Sequence, residues 1–266
     1  MSALVNEAGT RVFYAATSAE VDRLSQEILR LTSDNFSVWG FDAEWRLEYN
    51  GHTMLHHKVG LLQMYRDGVV LLFHITASGI PEALIEVLAH PKIFKVGLNI
   101  GGDARKLMKD FEFLNGKIHG VVEVRKFATF LGVPPASSLS GMVEQLLHKR
   151  LPKPSNIRCG NWDQVPLSAA SRHYAALDAY ASFAVMKAAF EKHLSTVAQP
   201  KDLSEYTLEI LENVSSMQKA QELRTKCDQS SCPVEDPVRC NGAVLSHVGT
   251  VEYPFCCPVC LLSSTN

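Results

Sequence analysis

The chain has 266 residues, of which 46% are apolar and 20% are charged, which is enough for a buried core and excludes a disordered, collagen-like or coiled-coil protein. The 26 lysines and arginines nearly balance the 28 aspartates and glutamates, so the net charge of -2 argues against binding to nucleic acid through bulk charge alone. No apolar run reaches the roughly 18–20 residues that span a bilayer, and no targeting signal is evident, so we expect a soluble, unprocessed protein without a membrane partner.

The first third of the chain carries four strand patterns and one helix. Residues 11–16 (RVFYAA) alternate as in a strand, and Thr17 with Glu20 forms a capping-box signature before a helical pattern. Residues 37–45 (SVWGFDAEW) are rich in β-formers, and residues 59–75 contain two strand patterns joined by an Asp-Gly turn. Strands joined by such a tight turn are antiparallel, so we expect a mixed sheet.

The middle of the chain is mainly helical. The predicted elements are a helix from Pro81, a buried strand at residues 92–99, helices at 101–111 and 138–148, a proline-broken loop at 151–162, and a long helix at 167–194. Early strands followed by later helices predict an α/β fold, in which helices flank a central mixed β-sheet.

The pattern changes after the long helix. The segment STVAQPKD (195–202) breaks the helix, a separate helix follows at residues 202–226, and six of the seven cysteines crowd residues 227–260. We therefore divide the chain into a domain at residues 1–195 and a region at residues 196–266, which holds a C-terminal helix and a Cys-rich tail.

Positive charge concentrates in the middle of the chain. Residues 91–160 hold 12 of the 26 lysines and arginines but only 5 of the 28 acidic residues. This surplus fits a basic wall that binds an anion, and it equally fits a solvated surface of mixed charge. Charge alone does not choose between these interpretations.

Two acidic residues occupy the end of a strand pattern. Asp42 and Glu44 are two residues apart in an apolar β run, so both carboxylates point to the same face. Like charges this close repel each other unless a cation lies between them, and carboxylate oxygens suit Mg²⁺ or Mn²⁺. The pair therefore indicates a metal site, or else side chains that reach solvent at the strand end.

Two later motifs also carry acidic groups. Tyr174 and Asp178 are four residues apart in the long helix and share one of its faces, an arrangement that ordinary helix packing also produces. Asp103 follows a strand and two glycines at the start of a helix, where an acid is either a helix cap or a functional carboxylate. The glycine spacing does not match the dinucleotide fingerprint G-x-G-x-x-G, so we reject a dinucleotide site.

Together, these motifs follow a known order: D-x-E on an early strand, Asp after a later strand, and Y-x-x-x-D on a late helix. In this order the chain resembles the DEDDy 3'-5' exonucleases of the ribonuclease D-like superfamily, and it is most similar to the Werner-type exonuclease domain. The resemblance runs over about residues 38–193 and rests on GFDAEW, VGLLQM with LLFHI, KVGLNIGGDARKLMKDF, NIRCGNW and YAALDAYASF. It implies the ribonuclease-H-like exonuclease fold, with the acids gathered at one edge of the sheet.

The resemblance also implies a role for each acid in a two-metal hydrolysis that releases nucleoside 5'-monophosphates from a free 3' end. Asp42 would bind both of two Mg²⁺ or Mn²⁺ ions. Glu44 and Asp178 would complete the site of the ion that activates water, and Asp103 would hold the second ion. Tyr174 would orient the attacking water, since a phenol with a pKa of about 10 is a poor general base at neutral pH.

Substrate contacts are expected around these acids. Trp45, Leu98 and Asn99 are candidates for holding the terminal sugar and base, and Trp45 is also a candidate core residue. The candidates for contacts to the preceding phosphates are Lys58, Arg105, Lys106, Lys109, Arg125 and Lys126, and the alternative for each is an ordinary surface charge. Arg105 departs from the Werner type, which has an aromatic residue there, so we expect a phosphate contact in place of a stacking contact.

The Cys-rich tail suggests a second kind of metal site. The candidate ligands of a tetrahedral Zn²⁺ ion are Cys227 and Cys232 (C-x4-C) with Cys257 and Cys260 (C-x2-C), and the competing ligands are Cys240, His247 and Cys256. A thiol-bearing tail that binds no metal is the alternative.

Other site types are not indicated. His52, His56 and His57 fall in a polar segment without the HExxH spacing of a zinc enzyme, and we expect a flexible loop there. No G-x-S-x-G or Cys/His nucleophile pattern appears, so acyl transfer is not expected.

The leading hypothesis is a divalent-metal-dependent 3'-5' exonuclease that acts on DNA. The resemblance alone implies that it acts in the nucleus, and the cytoplasm is the alternative. The alternatives are an RNA 3'-end trimming exonuclease and a catalytically silent module of the same fold that binds nucleic acid or protein. Two-metal chemistry acts on the phosphate, so it does not distinguish DNA from RNA. Since the chain has no room for a helicase, we expect unwinding to come from a helicase or another repair protein as a partner.

Overall fold

The computed structural model describes residues 10–33, 35–229, 245–248 and 251–254, with side chains described up to residue 219. The described strands are β1 (Arg11–Ala15), β2 (Ser37–Trp45), β3 (Glu48–Asn50), β4 (Thr53–Leu55), β5 (Val59–Arg66), β6 (Val69–Phe73), β7 (Ile93–Gly97), β8 (Val121–Glu123), β9 (Leu245–Val248) and β10 (Val251–Pro254). The described helices are α1 (Ser18–Leu31), α2 (Ile75–Ser78), α3 (Glu82–Ala89), α4 (Ile100–Asp110), α5 (Val124–Phe130), α6 (Leu139–Leu147), α7 (Ser155–Arg158), α8 (Ala169–Leu194) and α9 (Leu203–Gln229).

Six of these strands form one sheet in the order β1-β6-β5-β2-β7-β8. β5 is antiparallel to both of its neighbours, β2 and β6, whereas the pairs β1–β6, β2–β7 and β7–β8 are parallel. Asp67 and Gly68 turn the chain from β5 into β6 with positive φ angles of 46° and 75°, the backbone that a tight hairpin turn requires. The predicted mixed sheet and its Asp-Gly hairpin are confirmed.

Helices cover both faces of the sheet. Alternate residues of β5 belong to different hydrophobic clusters, because successive side chains of a strand point to opposite faces. Leu61 and Tyr65 pack with residues of α5, α6 and α8. Leu62 and Met64 pack with residues of α1, α3 and α4. The predicted α/β class, with helices on a central sheet, is confirmed.

The elements that the sequence did not predict are short. They are β3, β4, β8, β9, β10, α2, α5 and α7, and α7 lies inside the segment expected to be a proline-broken loop. The predicted elements, in contrast, carry clear local signals. At the start of α1, for example, the backbone N–H of Glu20 donates to Thr17 Oγ1 (3.3 Å) and that of Thr17 donates to Glu20 Oε2 (3.1 Å), so the capping box is present.

Helix α8 packs directly against β2. A Cβ atom on Gly40 of β2 would collide with the carbonyl oxygen of Ala179 and with Phe183 in α8. Strand alternation places Gly40, Asp42 and Glu44 on the same face of β2. The bare backbone at Gly40 therefore allows α8 to approach the face of β2 that carries both acids.

The described residues up to Ser215 form one compact unit, and those from Ser216 onward form another. Ile210, Leu211 and Val214 of α9 are buried in the core of the first unit, which therefore extends past the end of α8. In the second unit, β9 and β10 pair as antiparallel strands. The domain boundary between residues 195 and 196 stays a prediction.

The described helices include none with the combined length and hydropathy of a membrane span.

Lys95 is a charged residue buried in the core of the first unit. Its Nζ atom donates hydrogen bonds to the carbonyl oxygens of Val87 (3.2 Å) and Leu88 (3.1 Å) in the last turn of α3. These bonds satisfy carbonyl groups that a helix end leaves without an intrahelical partner. Burial lowers the pKa of Lys95 to about 7, so this amine titrates near neutral pH.

We expect Lys95 to make the fold more stable as the pH rises above 7. The unfolded chain keeps this proton up to the ordinary pKa of 10.5, whereas the folded chain releases it near pH 7, so the unfolded state binds more protons between these values. Replacing Lys95 with methionine should therefore remove a slope of up to about 1.4 kcal/mol per pH unit from the free energy of unfolding.

Urea unfolding of the wild type and of Lys95→Met between about pH 7 and 9 measures this slope. The two carbonyl oxygens left without the amine lower the stability of the variant by an amount that does not depend on pH. Parallel curves for the two proteins would contradict the assignment, because they would show that Lys95 does not titrate in this range.

Candidate active site

Three acidic side chains from β2 and α8 meet at one end of the sheet. Carboxylate oxygens of Asp42, Glu44 and Asp178 all lie within 4.8 Å of one another. Asp42 and Glu44 share a face of β2, and the packing of α8 on that face brings Asp178 to the same point. The structure therefore brings together three of the four acids that the sequence singled out.

Asp103 reaches the same group from α4. It is buried in the first turn of this helix, and Asn99 makes the sharp turn from β7 into α4 with a left-handed backbone (φ 58°). Burial and then the charge of Asp42 raise the pKa of Asp103 to about 9. The carboxyls of Asp103 and Asp42 therefore interact, and the four acids form one electrostatic cluster.

Burial makes it unfavourable for all four acids of the cluster to be ionised together. Burial raises the pKa of Asp42 to about 7, and the charge of Asp178 adds to the rise. Burial, followed by the charge of Asp42, raises the pKa of Glu44 to about 10, and burial also raises the pKa of Asp178. A divalent cation would relieve this repulsion, and a set of hard carboxylate oxygens fits Mg²⁺ or Mn²⁺.

Tyr174 stands one turn before Asp178 on α8, and its hydroxyl faces that carboxylate closely enough to lower the pKa of Asp178. The ring packs against Trp162, with the two ring centroids 6.0 Å apart. Burial and then the charge of Asp178 raise the pKa of Tyr174 above its ordinary value. The phenol is therefore protonated at neutral pH, and its hydroxyl is a hydrogen-bond donor in the cluster.

Lys153 is a residue of this site that the sequence did not predict. Its Nζ atom donates to Asp178 Oδ2 at 2.6 Å and lies 5.3 Å from the ring centroid of Tyr174. Lys153 follows α6 in a segment that carries no catalytic motif, and only its place between Pro152 and Pro154 sets it apart. The contact brings one positive charge to the cluster and opposes the rise in the pKa of Asp42.

Gln63 is a second residue that the sequence did not predict. It lies on β5 directly opposite Asp42 in the strand register and is fully buried. Within the described residues its amide makes no hydrogen bond of standard length, yet it faces Asp42 closely enough to lower the pKa of that carboxyl. The signal that could have found it is its place as a lone polar residue inside the apolar run VGLLQM.

A cleft of about 450 Å³ opens over the acidic cluster. Its lining includes Trp45, Leu98 and Asn99, the three residues predicted to hold the terminal sugar and base. The lining residues that the sequence did not predict are Ala43, Ser138, Leu139, Ser140, Lys153, Arg158 and Ser182. This volume falls in the range of about 300–1,000 Å³ that is usual for ligand pockets, so the cleft has room for a mononucleotide.

The predicted basic contacts lie outside this cleft. Arg105 is exposed on α4 and does not line the cleft, although its charge opposes the rise in the pKa of Asp103. Lys106 places Nζ 3.0 Å from Asp110 Oδ2 and 5.1 Å from the ring centroid of Trp45. Trp45 itself is half-buried and both packs against the core and lines the cleft.

The profile of the 3'-5' exonuclease family matches residues 14–194, a span that contains the four acids, Tyr174 and the whole cleft lining. The chain belongs to the 3'-5' exonuclease family. The predicted enzyme class and the predicted resemblance are confirmed. A 3'-5' exonuclease takes nucleic acid as its substrate, and the acidic cluster suggests divalent metal ions as its cofactors.

Two curated relatives contain a region similar to this chain. The chain is 33% identical over 186 residues to a 3'-5' exonuclease of Arabidopsis thaliana, and the match covers 67% of this chain and 63% of that protein. It is also 33% identical over 177 residues to the bifunctional 3'-5' exonuclease/ATP-dependent helicase WRN of Mus musculus, covering 65% of this chain and 12% of that protein. The match thus spans less than two thirds of either relative.

Solved structures share the fold at low sequence identity. The EXO domain of Aedes aegypti Nibbler superposes with a TM-score of 0.62 at 20% identity, covering 79% of this chain and 99% of that domain. Escherichia coli RNase D superposes with a TM-score of 0.56 at 19% identity, covering 77% of this chain and 51% of that protein. The predicted ribonuclease-H-like exonuclease fold is confirmed.

The proposed zinc ligands lie outside the part of the chain whose side chains are described. Cys227 falls on the backbone of α9, and Cys232, Cys257 and Cys260 fall outside the described residues, as do the competing ligands Cys240 and Cys256. The backbone of His247 lies in β9. A Zn²⁺ site in the tail stays a prediction.

Proposed function

We propose that this exonuclease removes nucleotides from the 3' end of DNA by a two-metal mechanism and releases nucleoside 5'-monophosphates. The observation that carries the proposal is that carboxylate oxygens of Asp42, Glu44 and Asp178 lie within 4.8 Å of one another. Asp103 belongs to the same cluster, because the charge of Asp42 raises its pKa. Such a cluster is costly in a buried site unless it binds cations, because its carboxylates raise one another's pKa values. The cleft above it is large enough for one nucleotide.

The four acids would divide between two Mg²⁺ or Mn²⁺ ions. Asp42 would contact both ions, since its charge acts on both Glu44 and Asp103. Glu44 and Asp178 would complete one ion site, and Asp103 would complete the other. When bound, the two ions supply Lewis-acid polarisation of the attacking water and of the scissile phosphate.

In this reaction, water attacks the phosphorus that joins the last two nucleotides. The bond from this phosphorus to the 3' oxygen of the preceding nucleotide breaks, and that oxygen takes up a proton. Tyr174 would orient the water by a hydrogen bond, because its raised pKa keeps the phenol protonated. Lys153 and Arg158 line the cleft and supply positive charge for the phosphate. Trp45, Leu98 and Asn99 would hold the terminal sugar and base.

The choice of DNA rests on the Werner-type resemblance, as do nuclear residence and a partner helicase or other repair protein. Digestion of matched DNA and RNA oligonucleotides, labelled at the 5' or the 3' end, tests the substrate. We expect Mg²⁺ or Mn²⁺ to support stepwise shortening of the 5'-labelled strand and release of a labelled mononucleotide from the 3'-labelled one. DNA should be degraded faster than RNA, and EDTA should stop both reactions.

Each alternative predicts a different result in this assay. Faster digestion of RNA would favour a 3'-end trimming ribonuclease, and binding without digestion would favour a silent module. Asp178→Asn serves as the control for contaminating nucleases, since it removes one negative charge from the acidic cluster at nearly constant volume. Degradation that persists in this variant or in EDTA would contradict the two-metal proposal.

A further inference from the structure

The segment between β2 and β5 folds as a hairpin, which corrects the prediction of a flexible polar loop. β3 and β4 pair with each other in the register Glu48↔Leu55, Tyr49↔Met54 and Asn50↔Thr53. They form a two-stranded sheet of their own, separate from the six-stranded sheet. We call residues 48–55 the β3–β4 hairpin.

The middle pair of the β3–β4 hairpin presents apolar side chains to solvent. Tyr49 is 62% exposed and Met54 is 56% exposed. Because these two residues are direct cross-strand partners, their side chains lie side by side on one face of the hairpin. An aromatic ring beside a polarisable thioether is a surface suited to stacking, and more than half of each residue is open to solvent.

Ionic contacts fix the base of the hairpin. Glu48 Oε2 lies 2.9 Å from both Arg46 Nη2 and His57 Nε2. His57 in turn accepts a hydrogen bond at its carbonyl oxygen from Lys106 Nζ (2.8 Å) in α4. A two-stranded hairpin is marginally stable alone, so these contacts supply the stability that its own strands lack.

A buried carboxylate strengthens this anchor. Asp110 at the end of α4 accepts the backbone N–H of Val59 (2.8 Å) and the Nζ of Lys106 (3.0 Å) at Oδ2, and its Oδ1 lies 2.9 Å from His56 Nε2. The Asp110 side chain is fully buried, so water screens these contacts little. The residues that follow the hairpin, His56, His57 and Val59, are therefore tied to α4.

The elements that hold the hairpin also build the active site. β2 carries Asp42 and Glu44 and ends at Trp45, which lines the cleft, and α4 carries Asp103. Tyr49 follows Trp45 by four residues, so at most about 14 Å of chain separates their Cα atoms. A stacked strand advances about 3.4 Å per nucleotide, so Tyr49 lies within about four nucleotides of a base held at Trp45.

We propose that the Tyr49 and Met54 face of the β3–β4 hairpin is a subsite for the bases that precede the terminal nucleotide of the substrate strand. This inference rests on the proposed function, because it takes the strand's 3' end to lie in the cleft. Stacking on an aromatic side chain does not depend on base identity, which suits an enzyme that must accept every sequence. Lys58, three residues after the hairpin, provides positive charge near the backbone of the same strand, whereas Arg46 and Lys106 are paired with Glu48 and Asp110.

The dependence of KM on substrate length tests this subsite. A dinucleotide places a single base beyond the terminal nucleotide, whereas a hexanucleotide is longer than the largest separation of about four nucleotides between Trp45 and Tyr49. For the wild type we expect KM to fall as the substrate is lengthened. In the double variant Tyr49→Ser with Met54→Ser we expect KM for the hexanucleotide to rise at least about fivefold, with KM and kcat for the dinucleotide unchanged.

Two further variants control this experiment. Tyr49→Phe keeps the ring and should restore the low KM, whereas Leu203→Ser removes an equally exposed apolar residue (50%) outside the hairpin and should leave KM unchanged. Equal KM values for the double variant and the wild type on the hexanucleotide would overturn the subsite, and would leave the face for a protein partner. A wild type that cleaves neither substrate would overturn the proposed function and the subsite with it.

Discussion

Replacing Asp42 with asparagine is expected to lower the rate of 3'-nucleotide release by about 10³-fold or more. Asp42 is the most connected member of the acidic cluster, since its carboxylate is near those of Glu44 and Asp178 and its charge raises the pKa of Asp103. Asparagine keeps the size and shape of the side chain but removes the negative charge that two cations would share. Single-turnover release of the labelled 3' nucleotide measures the effect.

Asp67→Asn is the matched control for this change. Asp67 undergoes the same chemical substitution, but its side chain is 73% exposed in the turn between β5 and β6. Its left-handed backbone (φ 46°) suits asparagine, so the fold should be unaffected. A folded Asp42→Asn protein that retained a tenth of the wild-type rate would show that Asp42 does not bind the catalytic cations.

The second large effect is on stability. In EDTA, we expect the melting temperature to fall as the pH rises from about 6 to 9. The pKa values of Asp42, Asp103 and Glu44 are raised to about 7, 9 and 10, so the folded state holds protons that the unfolded state has released. The stability that these protons provide is complete below the unfolded pKa values near 4 and is lost as the pH rises through the folded ones. Lys95 acts in the opposite direction, but it is one group against several.

Mg²⁺ or Mn²⁺ should reverse this loss. A cation that binds only the folded state stabilises it by about 2.7 kcal/mol at 100 times its dissociation constant. For a chain of this size, that corresponds to a rise of very roughly 5–10 °C in Tm. Calorimetry at about pH 8 with metal or with EDTA measures the rise, and Asp42→Asn should reduce both the rise and the pH-dependent loss. A Tm that responds neither to metal nor to EDTA would contradict a cation site in the cleft.

The acids could be predicted from sequence because each carries a local signal. Two carboxylates in i, i+2 spacing on a strand must share a face, and Tyr174 and Asp178 in i, i+4 spacing on a helix must do the same. Their meeting in space could not be derived from these local rules. It followed only from the order of the motifs along the chain and their resemblance to a known family.

Lys153 and Gln63 escaped prediction for a different reason. The loop that carries Lys153 comes against α8 only in the folded chain, and no spacing rule links this lysine to Asp178, 25 residues later. Gln63 acts across a strand pair, so its relation to Asp42 requires the register of β2 and β5, which the sequence does not state.

The β3–β4 hairpin was missed because its strands lack the usual pattern. Thr53 is the one β-branched residue in EYNGHTML, and the hairpin is held by charges on α4 that are distant in sequence. Arg105 shows the converse case. Its position after the second-motif acid suggested a substrate contact, but the direction of an exposed helical side chain depends on packing that sequence does not reveal.

The lack of a side chain at Gly40 determines how closely α8 can approach the acids of β2. The α8 backbone packs directly on this glycine. The distance between the acids of β2 and Asp178 therefore depends on the lack of a Cβ atom at position 40. Even one added methyl group would push α8 outward and carry Tyr174 and Asp178 away together. Position 40 carries no functional group, yet we expect a side chain there to slow hydrolysis, because it would move Asp178 away from Asp42 and Glu44.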